Sequence, residues 1–166
     1  MDMWKKDRRL LPGTAVEMLR ARGLTVALAE SCTGGLLASL LTAVPGSSAV
    51  FPGGVVSYCD RVKHALLGVS KDTLAAYTAV SAQVARQMAE GARERIGTDL
   101  AVSLTGYAGP DGGTERDGVG TVYVGVADRR GVTVYRYHAP KGADRDAVRW
   151  GAAAFALRRL IHAAGR

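Results

Sequence analysis

The spacing of apolar positions changes character several times along the chain. Leu11, Ala15, Val16 and Leu19 recur at helical intervals with Gly23 placed as a stop, which predicts a helix over 11–22. LTVALA at 24–29 is apolar without alternation, the pattern of a strand covered on both faces. A helix is expected over 34–43, a strand over 55–58, short helices over 61–67 and 71–76, and a long helix over 81–96 with Ser81 as its N-cap. A strand at 100–104 then runs into the glycine-rich stretch TGYAGPDGG. GTVYVGVA and GVTVYRYH alternate with period two around the turn ADRRG, which predicts an antiparallel hairpin, and a helix over 144–162 closes the chain. Helices and strands intermixed in this way predict one α/β domain, a three-layer α/β/α sandwich on a mixed, mostly parallel sheet with one antiparallel hairpin. Residues 1–10 read as a flexible basic tail.

Composition narrows the classes. A chain of 166 residues with 48% hydrophobic content can bury a sizeable core without staples. Its two cysteines, Cys32 and Cys59, form neither a disulfide framework nor a zinc pattern, and no signal peptide is apparent at the start, so a cytoplasmic location is expected. Charged residues and glycines interrupt every apolar run short of the roughly 20 residues a membrane helix needs. The net charge of +7 favours anionic partners. The basic residues are scattered, however, and aromatics amount to only 6%, so the stacking surfaces of nucleic-acid binders are not in view.

The candidate chemistry centres on AESCTGG, residues 29–35, where Ser31, Cys32 and Thr33 stand between a strand and a helix. A serine at the carboxyl end of a strand, followed by glycines, can meet backbone N–H groups and the positive end of a helix, both suited to an oxyanion or a phosphate. Ordinary helix capping satisfies the same segment. A serine nucleophile also needs a base. None of the three histidines is well placed: in DRVKHALLG the stripe Val62, Leu66 and Leu67 is expected to face inward, with Lys63 toward the edge of the core and His64 toward solvent. A lysine drawn into apolar surroundings loses proton affinity and can take the serine's proton, whereas a lysine whose stem merely packs on Leu66 and Leu67 keeps its ammonium in water. Cys32 is expected to turn inward, Thr33 to cap, and Tyr58 to end a strand near the same helix. Asp111, Glu115 and Asp117 lack a recognisable ligand spacing, so no metal is expected.

ESCTGG, VPGSS, GGVVSY, Lys63, AVSAQVARQMAEGA and SLTGYAGPDGG followed by VGTVYVGVA together resemble the CinA C-terminal domain family of nicotinamide mononucleotide amidohydrolases, over nearly the whole chain. The resemblance is to its stand-alone form, without the preceding nucleotide-related domain of longer members. It implies hydrolysis of nicotinamide mononucleotide to nicotinic acid mononucleotide and ammonia, part of pyridine nucleotide recycling, with no cofactor. It further implies Ser31 as nucleophile, Lys63 as base and Tyr58 beside them. Thr33, Gly34, Gly35, Ser48, Thr105, Gly106 and Arg145 are implied for the substrate, Arg145 and the Thr105–Gly106 stretch being assigned to its phosphate. The partner is then a small anionic nucleotide, and a homo-oligomer, a dimer first, is expected. A non-catalytic nucleotide-binding or regulatory module with the same pocket is the other reading.

Several positions depart from the family pattern. Cys59 and Asp60 replace a polar pair after the tyrosine, and Asp60 is expected to cap the helix before Lys63. Thr78 replaces a glycine, Asp117 and Gly118 a lysine and a proline, and Ala143 a glycine. These departures bear on substrate preference and loop shape more than on the reaction.

Overall fold

A computed structural model describes residues 3–166, with side chains described from Leu10 onward. The order is α1 (Met3–Arg22), β1 (Val26–Glu30), α2 (Leu36–Thr42), a 3₁₀ turn (Ser47–Ala49), β2 (Gly53–Val56), α3 (Asp60–Leu67), α4 (Lys71–Tyr77), α5 (Ala82–Ile96), β3 (Leu100–Gly106), β4 (Thr121–Asp128), β5 (Gly131–His138) and α6 (Arg145–Ala164). One sheet runs β2-β1-β3-β4-β5. Its first three strands are parallel, and β4 and β5 close it as an antiparallel hairpin.

Two apolar clusters explain the layering. Leu28, Leu104, Val122 and Val124 join the inner faces of α1, α2 and α6 on one side of the sheet. Ala27, Ala29 and Ala101 join Leu67 of α3 and Met88, Ala89 and Ala92 of α5 on the other. All five residues of β1 are buried, as an apolar run without alternation requires. β4 alternates in sequence yet is buried from Thr121 to Ala127, because helices cover both faces; β5, at the sheet edge, keeps the alternation in its exposure. Among the described residues no helix is long and apolar enough to cross a membrane.

The expectation of a tail over residues 1–10 is corrected from Met3 onward, while residues 1 and 2 lie outside the described residues. The helix begins at Met3 and carries Pro12 inside it. A proline removes one bond to the carbonyl four residues back but leaves the turns on either side to form. Two residues on, the Thr14 hydroxyl donates to the Leu10 carbonyl at 2.9 Å.

One close approach fixes the helix that carries Lys63. A Cβ on Gly91 of α5 would stand 1.8 Å from the Leu67 carbonyl oxygen of α3, so the two backbones touch where only glycine fits.

Candidate active site

Ser31 follows directly on β1. Its N–H donates to the Leu104 carbonyl on β3 at 2.9 Å, and its own carbonyl accepts from Gly34 at 3.1 Å. Gly34 and Gly35, at φ 61° and 94°, take the left-handed backbone that reverses the chain into α2. Ser31, Ser57 and the end of β3 therefore share the carboxyl edge of the parallel strands, where open α/β sheets bind their ligands.

The helix end beyond this turn is not open to an anion. Glu30, the last residue of β1 and only 1% exposed, reaches over and accepts from the N–H groups of Gly35 at 3.2 Å, Leu37 at 3.0 Å and Ala38 at 2.8 Å. The carboxylate, not Thr33, caps α2, and it occupies the positive helix end that sequence reasoning offered to a phosphate. Thr33 is fully buried, and its hydroxyl has no hydrogen-bond partner.

Lys63 occupies the inward position of α3 with Leu67 one turn on, and it is 1% exposed. The expected stripe of Val62, Leu66 and Leu67 is thus corrected: Leu66 is 52% exposed, and the amine has taken the core position. Its Nζ donates to Ser31 Oγ at 3.0 Å and to the Ser57 carbonyl at 2.8 Å. Burial pushes its pKa below the ordinary lysine value, against the opposing pull of Asp60. His64 turns outward and places its Nδ1 2.8 Å from the Val69 carbonyl.

The sheet itself makes room for that amine. Ser57 N–H donates to the Glu30 carbonyl at 2.7 Å, continuing the parallel ladder by one bond. In a longer ladder the Ser57 carbonyl would accept from the N–H of Cys32. Here it accepts from Nζ instead, and the N–H groups of Cys32 and Thr33 make no backbone hydrogen bond. A serine hydroxyl, an amine of lowered proton affinity and N–H groups outside the backbone ladder stand together, the parts that acyl transfer uses.

The other expected residues divide. Arg145, in the first turn of α6, donates to the Gly109 carbonyl at 2.5 Å and to the Tyr58 hydroxyl at 3.0 Å, at the rim of the site. Tyr58 is 61% exposed and makes no hydrogen bond to Ser31 or Lys63. Strand alternation sends Ser57 inward and its neighbour outward. Thr105 follows Leu104, the register partner of Glu30, and so stands beside Ser31, but it gives its hydroxyl to the Ala79 carbonyl at 2.7 Å. Gly106 is demanded by β4, since a Cβ there would lie 2.6 Å from the Thr121 carbonyl oxygen. Ser48 sits exposed two residues before Val50, whose carbonyl accepts from Val26 at the start of β1. That is the opposite end of the sheet from Ser31. Asp60 does not cap α3: Cys59 is the N-cap residue, with no side-chain bond, and Asp60 lies in the first turn. Cys32 does turn inward, and burial raises its thiol to about 11.

Three residues were missed. Glu30 closes an apolar strand, so its charge had no partner visible in sequence. Ser57 looked like part of a strand end. Arg149, four residues after Arg145 and so on the same helix face, donates to the Thr33 carbonyl at 2.9 Å; that spacing was the available signal. A separate cavity of about 430 Å³ on the α2 and α6 side, lined by Leu40, Tyr137, Trp150 and Leu157 among others, includes neither Ser31 nor Lys63.

The CinA C-terminal domain model matches residues 9–164. A CinA-like protein of Gloeothece citriformis is 47% identical over 160 residues, covering 96% of this chain and 38% of that protein. A CinA-like protein of Geobacter sulfurreducens is 53% identical over 155 residues, covering 90% and 37%. The chain thus spans less than two fifths of these curated relatives. Among solved structures, the competence/damage inducible protein CihA of Agrobacterium tumefaciens superposes with a TM-score of 0.92 at 38% identity, covering all of both chains. A CinA superfamily protein of Escherichia coli superposes with a TM-score of 0.90 at 34% identity, covering 98% of this chain and 94% of that one.

Proposed function

The chain belongs to the CinA C-terminal domain family, and on that premise we propose that it hydrolyses the carboxamide of nicotinamide mononucleotide to the acid and ammonia through a covalent serine intermediate. The observation that carries the proposal is the 3.0 Å bond between Lys63 Nζ and Ser31 Oγ, buried and, among the described residues, with no carboxylate bonded to the amine. Desolvation favours the neutral amine, whose lone pair then lies on the path of the serine proton.

In the reaction Lys63 takes the proton of Ser31, and Oγ bonds to the carboxamide carbon. The carbonyl oxygen becomes an oxyanion facing the N–H groups of Cys32 and Thr33, which the backbone leaves uncommitted. The C–N bond breaks, a proton returns to nitrogen, and ammonia departs from an acyl-Ser31. Water, losing a proton to Lys63, then splits the ester and restores both groups.

Because Glu30 closes the end of α2, the substrate phosphate is assigned to the rim. Arg145, which already spans Gly109 and Tyr58, is the side chain able to offer it paired N–H donors. Arg149 holds the Thr33 carbonyl and so the shape of the turn.

Ammonia release from nicotinamide mononucleotide by the purified protein, with Ser31→Ala and Lys63→Ala alongside, tests the reading. Release by the parent alone is the expected result. Saturable binding with no release above the two variants would leave a nucleotide-binding module instead.

A further inference from the structure

The amidohydrolase reading leaves one proton without a route. After Ser31 has attacked, its proton resides on Lys63, while the group that must receive a proton is the departing nitrogen. Of the three ammonium N–H bonds, one is held by the Ser57 carbonyl and one points to Ser31 Oγ. The third has no acceptor among the described residues.

The Ser57 hydroxyl lies on the residue whose carbonyl already holds Nζ, and in the free site it bonds neither to that amine nor to any other group. Glu30 and Val56 are register partners, so the next residues, Ser31 and Ser57, are neighbours across two strands. Val55 packs on the cluster that contains Leu67, the face carrying α3, and strand alternation turns Ser57 to that same face. Ser57 is fully buried, 0% exposed, and its hydroxyl has no hydrogen-bond partner. A hydroxyl offers one donor and two acceptor positions, and burying all three unmet is costly unless something fills them. Among the described residues, buried side-chain atoms without a partner are Thr33 Oγ1, Ser57 Oγ and Arg159 Nε; two of the three flank Ser31.

We infer that the Ser57 hydroxyl is a further catalytic group, which turns about its Cα–Cβ bond toward Lys63 when substrate is bound, accepts a proton from Nζ and gives its own to the departing nitrogen of the substrate. The balance is one N–H bond broken at Lys63, one O–H bond exchanged at Ser57 and one N–H bond formed on ammonia as the C–N bond breaks. The amine ends neutral, ready for the hydrolytic half. This inference rests on the amidohydrolase reading.

Ser57→Ala isolates the hydroxyl, because the carbonyl that holds Lys63 belongs to the backbone and stays. With nicotinamide mononucleotide as substrate, kcat should fall by about 10- to 100-fold with KM changed less than about threefold. The acid limb of the kcat/KM pH profile, which reports Lys63, should stay in place, and the melting temperature should not drop. Ser57→Cys, with a weak donor, should fall between the two. A kcat within about twofold of the parent overturns the inference. So does an acid limb that moves together with kcat, which would make Ser57 a positioning residue for Lys63. A parent protein that releases no ammonia removes the amidohydrolase reading as well, whereas an active parent with an unaffected Ser57→Ala removes this inference alone.

Discussion

Lys63→Met replaces the amine by a neutral side chain of similar length, and its two consequences can be worked from the contacts. Removing Nζ strips the Ser57 carbonyl of its partner, a loss of about 1–3 kcal/mol for a buried acceptor. Against this, the parent carries the penalty of a buried amine whose folded pKa lies below the reference value of 10.5. Above the folded value and below 10.5, the unfolded chain binds the proton and the folded chain does not. Stability of the parent therefore rises with pH through that window, by about 1.4 kcal/mol per unit. Below the folded value both states are protonated and the penalty is fully present. Methionine has no such window. Urea unfolding of both proteins from pH 6 to 10 should give a parent-minus-variant difference that is level at the acid end and climbs as the folded amine gives up its proton. Turnover should fall by at least about 100-fold at every pH. A difference that is level or declining to pH 10, or a variant that keeps its activity, would refute the assignment of Lys63 as a neutral base.

Other outcomes follow from neighbouring contacts. Glu30→Ala leaves three N–H groups at the start of α2, those of Gly35, Leu37 and Ala38, without an acceptor and should lower stability by about 2–4 kcal/mol in urea unfolding, with Glu30→Gln losing roughly half as much. Gly91→Ala drives a Cβ into the Leu67 carbonyl and must displace α3; it should cost about 1–3 kcal/mol and about 100-fold in turnover, since a shift near 1 Å moves Lys63 away from Ser31. At pH 8 a thiol raised to about 11 holds roughly 0.1% thiolate, so iodoacetamide should label exposed Cys59 and spare buried Cys32 until the protein is unfolded, as peptide mapping would read.

The fold was legible wherever periodicity was strong. The buried run at 24–29, the period-two hairpin and Ser81 as the cap of α5 all reflect local physics written in adjacent residues. Element ends were less visible. β1 runs to Glu30 because the end of an apolar run does not mark where hydrogen bonding stops, and α1 runs through Pro12 because one lost bond does not terminate a helix. The meeting of Ser31 and Lys63 was legible, but not what supports the pair. Glu30 capping α2 and the Ser57 carbonyl holding Lys63 join residues that sequence spacing does not connect. Tyr58 and Ser48 show the converse. Each sits in a recognisable motif, yet alternation turns Tyr58 outward, and the chain path carries Ser48 to the far end of the sheet. Thr78 holds a positive φ of 64°, a backbone that glycine adopts freely.

Lys63 sits where β1 and β2 would otherwise be stitched together once more. One extra pairing, Cys32 to Ser57, would zip that gap shut and expel the amine while the rest of the architecture stood unchanged. A single-residue insertion in the turn could therefore yield a well-folded but inert protein. At this spot the molecule forgoes a rung of secondary structure and gains a buried amine.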